Sequence, residues 1–201
     1  MSEPSGLRER KKQRTHRAIE AAALDLFEQR GFEGTTIDDI AAAAEIAPRT
    51  FFHYFPAKED VVLADYSSRL DRIVAALNRA PGGEPPWLGL QAAFLSVAAD
   101  YETERDRLVR RFRIISENPS VAARSLQLQA AWEDAVASAV AGWLDVEVRQ
   151  TLEPRLLAGA ALAAMRASLA RWLIDDGRSR LPDHVHSCFA LLGSGLGEVG
   201  T

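Results

Sequence analysis

The chain has 201 residues, 47% of them hydrophobic, which is enough to bury a core in one or two compact domains. Its net charge of −4, from 24 basic and 28 acidic side chains, excludes a uniformly basic nucleic-acid binder. A single cysteine excludes an internal disulfide and fits a reducing cytosol; with no run of roughly 18 apolar residues and no signal-peptide core, the expected location is cytoplasmic, with no membrane partner.

Met1 to Leu7, with Pro4 and Gly6, reads as a disordered arm. From about Arg8 the chain turns helical: Ile19, Ala22, Ala23, Leu26 and Phe27 recur at helical spacing, and Gly31 closes the run. Positive charge is concentrated here, with Arg8, Arg10, Lys11, Lys12, Arg14 and Arg17 opposed by Glu9 alone. Such a run is often a solvated helix face. Lying just ahead of the next motif, Arg10, Lys11, Lys12 and Arg14 read instead as an auxiliary contact to DNA phosphates or the minor groove.

The stretch from Thr35 to Asp60 is the most informative. Thr36 stands at a helix N-cap with Asp38 and Asp39 in the first turn, and Ile37, Ile40, Ala41 and Ala44 give one narrow apolar face. After Glu45 and Ile46 the pattern stops, and Pro48 is suited to the first position of a new helix, reaching about Tyr54. Two short helices joined by a tight turn make a helix-turn-helix, whose second helix can enter a DNA major groove. On it Arg49, Thr50 and His53 are polar, while Phe51, Phe52 and Phe55 read as apolar anchorage. Pro56 ends it. Ala57 then opens a long amphipathic rod, with Leu63, Tyr66, Leu70, Ile73 and Leu77 inward, ending near Ala80.

The order Gly31-Phe32, Thr35-Thr36, Ile40-Ala41, Pro48-Arg49-Thr50-Phe51-Phe52-His53-Tyr54-Phe55 and Lys58-Glu59-Asp60 resembles the DNA-binding domain of the TetR family of bacterial transcriptional regulators. The resemblance covers about the first third of the chain. It implies that Thr36, Pro48, Arg49, Thr50, His53, Tyr54 and Lys58 lie at the DNA. Two departures stand out. Glu45 replaces the usual glycine, at a cost of about 1 kcal/mol if the turn needs a positive φ. Ala47 replaces the usual capping side chain, which leaves Pro48 to define the helix start.

Pro81 to Pro86 forces a loop, and five further helical segments follow: Trp87 to Thr103, Glu104 to Glu117, Ser120 to Gly142, Glu153 to Asp176 and Leu181 to Gly193. No segment alternates convincingly, so the expected fold is all-α with about nine helices: a helix-turn-helix domain over 8–56 and a helical domain over 57–201. The resemblance makes this second part a ligand-binding and dimerisation domain whose final two helices pair with those of another copy. Leu156, Gly159, Ala160, Ala163 and Ala167 offer a small-residue surface, and Phe189, Leu191, Leu192 and Leu196 offer apolar area; a core seam within one chain is the alternative.

Candidate chemistry is sparse. His184, His186 and Cys188 suggest a metal cluster, but on a helix His186 points away from the other two, so no metal site and no cofactor is expected. No nucleophile has an evident base, so no enzyme activity is expected. Trp87, Phe94, Phe112, Trp132, Met165 and Trp172 could line an effector cavity, or be ordinary core. Arg105, Arg107, Arg110, Arg111 and Arg113 read as a solvated face paired with acids, or as a seat for an anionic ligand head. The stretch from Arg111 to Trp172 is similar to a TetR subgroup that includes regulators associated with mycofactocin and acyl-coenzyme A, which would give the arginines a coenzyme-A role. The expected protein is a dimeric repressor of a palindromic double-stranded DNA operator, released by a small hydrophobic or amphipathic effector such as an acyl-CoA. The alternative is a helical acyl-compound-binding protein or enzyme whose N-terminal part serves assembly only.

Overall fold

A computed structural model describes residues 4–79 and 85–195, and the regular structure among them is helical. Ten helices follow in order: α1 (Pro4–Arg30), α2 (Ile37–Ala43), α3 (Pro48–Phe51), α4 (Lys58–Val62), α5 (Tyr66–Arg79), α6 (Pro86–Thr103), α7 (Arg105–Glu117), α8 (Pro119–Leu144), α9 (Glu153–Ile174) and α10 (Leu181–Ser194). The all-α architecture is as expected. α1 starts at Pro4, so the helix takes in four residues assigned from sequence to the arm. The expected end of the rod at Ala80, most of the Pro81–Pro86 loop, and Leu196 lie outside the described residues.

The helices gather into two compact units, one of Met1–Ala64 with Arg110–Ser125 and the other of Asp65–Val109 with Leu126–Thr201. In the first, Ile19, Ala23, Leu24 and Phe27 of α1 are buried with Ile40 and Ala41 of α2, Phe51 of α3 and Val61 and Val62 of α4. α1 ends at Gly31, whose φ of +75° suits a residue without Cβ. Thr36 caps α2 in a reciprocal box: its Oγ1 accepts from the Asp39 N–H at 3.1 Å, and its own N–H donates to Asp39 Oδ2 at 2.9 Å. Glu45 then turns the chain with φ +55°, the conformation for which glycine is favoured. Pro48 opens α3 behind Ala47, which makes no side-chain cap.

The rod is not continuous. A turn at Leu63–Asp65 separates α4 from α5, which accounts for ten helices rather than nine. The cause lies in α7. The fully buried Arg111 donates through Nη1 to Val62 O at 2.6 Å and Val61 O at 3.3 Å. Those carbonyls would have accepted from Tyr66 and Asp65 in an unbroken helix. Arg111 also pairs with Glu20 of α1, itself buried, while Arg110 pairs with Asp25 at 2.6 Å and with Glu28.

In the second unit Leu90, Phe94, Val97 and Ala98 of α6 share a core with Ile73 and Leu77 of α5, Ala161 and Met165 of α9, and Val185 and Phe189 of α10. Gly89 admits Trp143, since a Cβ there would lie 2.8 Å from the indole, and the Trp143 N–H reaches Leu77 O at 3.1 Å. By length and composition alone α9 is apolar enough to cross a bilayer, but Arg155, Arg166 and Arg171 interrupt it, so it holds no run of roughly 18 apolar residues.

Candidate nucleic-acid interface

α3 is shorter than the two turns expected. Four residues are regular helix, and Phe52 to Tyr54 continue as a tight turn, with the N–H groups of Tyr54 and Phe55 both reaching Phe51 O, at 2.9 and 3.0 Å. Phe51 is fully buried and Phe55 nearly so, their rings 5.8 Å apart, and His16 of α1 lies 4.5 Å from the Phe55 ring. These contacts seat the element from behind. Arg49 and His53 are exposed on its outer face, as is Pro48, with Thr50 and Tyr54 half-buried. Phe52 departs from its expected role as an anchor, because 56% of it is exposed.

Thr36 is exposed at the start of α2, although its hydroxyl is committed to the capping box. Lys58 is placed differently from the rest. Its ammonium donates to Phe32 O at 2.7 Å and Thr35 O at 3.0 Å, and stands 4.2 Å from the Phe32 ring centroid. It thereby ties the start of α4 to the loop between α1 and α2.

Arg10, Lys11, Lys12 and Arg14 are all exposed on α1. Arg10, Lys11 and Arg14 border an open groove of about 570 Å³ whose other wall is Ala44, Glu45 and Ile46, at the turn leading to α3. Arg10, Lys11 and Arg14 therefore share one surface of the first unit with the turn of the helix-turn-helix, whereas Lys12 borders another recess, with Glu9, Gln13, His16 and Arg17. The Glu45 carboxylate is the dissenting charge in that groove.

Of the residues expected to line an effector cavity, Phe112 belongs to the first unit, buried in α7, and the others to the second. In the second unit Trp87 and Phe94 both pack on Phe189, at 4.7 and 5.7 Å, and Trp87 donates its N–H to Phe189 O. Met165 and Trp172 are buried, with the Trp172 N–H on Ser179 O at 3.0 Å. Trp132 of α8 is half-buried against Tyr66, at 5.3 Å.

Tyr66 leads to a group that the sequence reading missed. The Arg69 guanidinium, buried and paired with Asp65, lies 4.8 Å from the Tyr101 ring and 5.9 Å from Tyr66. Burial pushes the Tyr101 hydroxyl up to about 12. An apolar-pattern search passes over an arginine, so only the spacing of Asp65 and Arg69 could have found it.

The arginine run is engaged with acids: Arg105 with Glu102 at 2.8 Å, Arg107 with Glu104 at 2.9 Å, and Arg110 and Arg111 with acids of α1. His184 Nε2 meets Ser179 Oγ at 2.7 Å, while His186 is exposed. On α9, Leu156, Ala167 and Ile174 are exposed, as is Leu152 just before it, and Leu191 is exposed on α10. Phe189, expected on that outer surface, is instead fully buried within its own unit against Trp87 and Phe94.

Residues 19–64 match the family described as bacterial regulatory proteins, tetR family, and residues 84–197 match the MftR C-terminal domain. The chain is 33% identical over 175 residues to the HTH-type transcriptional regulator TcmR of Streptomyces glaucescens, covering 84% of this chain and 77% of that protein. It is 29% identical over 190 residues to the putative mycofactocin biosynthesis transcriptional regulator MftR of Mycobacterium tuberculosis, covering 94% and 95%. Among solved structures it is similar to FadR of Thermus thermophilus, a TetR-family transcriptional repressor in complex with lauroyl-CoA, with TM-score 0.60, 26% identity, and 90% and 94% of the two chains covered.

Proposed function

The chain belongs to the TetR family of bacterial transcriptional regulators, and on that premise we propose that it is a dimeric repressor that binds a palindromic operator and leaves it when an amphipathic effector binds. The observation that carries the DNA-binding part is the outer face of α3. Arg49 and His53 stand exposed there on an element whose inner face, Phe51 and Phe55, is buried and so holds it in place. Arg49, at the start of the recognition helix, is the base reader, since an arginine fork matches the acceptors of guanine. Thr50, His53, Tyr54, Thr36 and Pro48 border the groove, and Arg10, Lys11, Lys12 and Arg14 meet phosphates. Lys58 serves the same surface by holding the loop carbonyls beside it.

We assign the first unit to DNA binding and the second to effector binding and dimerisation. The effector to test first is a long-chain acyl-coenzyme A, the ligand type of the Thermus neighbour. Within the second unit Trp132, half-buried on Tyr66, is the aromatic surface best suited to report occupancy. The two-fold partner is a second copy, joined through α9 and α10, whose exposed Leu156, Ile174 and Leu191 a monomer leaves in water, with Leu152 just ahead of α9. The protein acts in the cytoplasm and is not an enzyme.

The test is a titration of the full chain with operator duplex, with and without lauroyl-CoA. Binding of this kind is salt-sensitive, and coupling is reciprocal: effector lowers operator affinity by the factor by which operator lowers effector affinity, typically about 5-fold to 150-fold. Equal operator affinity with and without every acyl-CoA that binds would overturn the effector part. Equal affinity for operator and random DNA would overturn the whole.

A further inference from the structure

Among the described residues of the first unit, Phe52 is the large hydrophobic side chain left exposed, at 56%. It lies three residues after Arg49 and one before His53, and its φ of −66° and ψ of −14° continue the helical path. Residues three apart share a helix face, so the Phe52 ring stands beside Arg49, between the exposed side that carries Arg49 and His53 and the buried side that carries Phe51 and Phe55. The ring meets Phe51 edge-on, with centroids 5.6 Å apart and planes at 84°. Because Phe51 is fully buried, this contact fixes the direction of the exposed ring.

A phenyl ring has no hydrogen-bonding atom, so it can hold neither a phosphate nor a donor or acceptor on a base edge. The one apolar group that the major groove presents is the C5-methyl of thymine. We infer that Phe52 is a specificity-determining residue that selects thymine at one position of each half-site by packing on that methyl. This rests on the proposed reading of DNA by α3. It adds an apolar element to a face otherwise made of charged and polar groups.

The test uses operator duplexes that the full-length protein selects from a random pool, with each thymine replaced singly by deoxyuridine, which removes the methyl and nothing else. At one position per half-site the wild-type protein should lose about fourfold in affinity, the worth of roughly one buried methyl. Phe52→Ala should bind the thymine and deoxyuridine duplexes alike, while Phe52→Leu keeps part of the difference; matching circular dichroism spectra show that the variants are folded. Sequence-specific binding by the wild type with no deoxyuridine effect at any position, or the full effect persisting in Phe52→Ala, would overturn the inference alone. A wild-type protein that selects no sequence would overturn the DNA-reading proposal, and this inference with it.

Discussion

Lys58 illustrates how much one side chain can organise. Its ammonium bridges two loop carbonyls that lie beyond the reach of any helix ladder, and hydrogen bonds from a charged donor contribute more than neutral ones. Lys58→Met keeps the stem over Phe32 and removes the donors. It should cost about 2 kcal/mol in a urea melt, with weaker DNA binding as a consequence. A side chain serving only as a phosphate contact would leave the melt unchanged. The Thr36 and Asp39 box acts at the same scale. Its hydrogen bonds, from the Thr36 side chain first and the backbone second, lower the Asp39 pKa below its ordinary 3.8 in the folded state. The stability this adds is present above the ordinary value and is lost as pH falls through the lowered one. Thr36→Ala should cost about 1 kcal/mol at neutral pH, and in acid melts its deficit against the wild type should narrow. A constant deficit across that range would contradict the linkage.

At the scale of elements, the helix-turn-helix was legible because its signals are local. The cap at Thr36, the proline at Pro48 and the apolar spacing between them all act within a few residues. Even the φ of Glu45 could be anticipated, since a turn that short has few conformations. The break between α4 and α5 could not be read this way. The apolar pattern runs through it unbroken, and the group that takes the two carbonyls is Arg111, 50 residues from Val61 and 49 from Val62. The packing partners of the aromatic residues were illegible for a related reason: composition names aromatic residues but not their neighbours, as Phe189 is the neighbour of Trp87 and Phe94. Arg111→Met leaves Glu20 buried without its guanidinium and should cost about 3 to 5 kcal/mol. Adding Glu20→Leu should recover most of that loss in the same melt, because the cost lies in the stranded charge; a double variant as unstable as the single one would show that the carbonyl contacts dominate.

For the whole molecule, reading DNA in this way takes two copies. A recognition element of a single regular turn reads too few bases to single out one site, and a two-fold pair squares the discrimination. The exposed apolar residues of α9 and α10 are the surface proposed to join the copies. Leu156→Asp, which places a charge where 71% of the leucine is exposed in a single chain, should convert the dimer to monomer by light scattering and weaken operator binding while leaving helix content intact. A dimer that survives the change would place the contact elsewhere. The central claim, that this chain reads DNA as a two-fold dimer through α3, is tested most directly by selection from a random duplex pool with the full-length protein, followed by sequencing of the bound fraction. The expected result is an inverted repeat whose half-sites lie a fixed distance apart, and the loss of one base preference in each half when Arg49→Ala is used. Enrichment of no sequence, or of a lone half-site with no inverted partner, would contradict it.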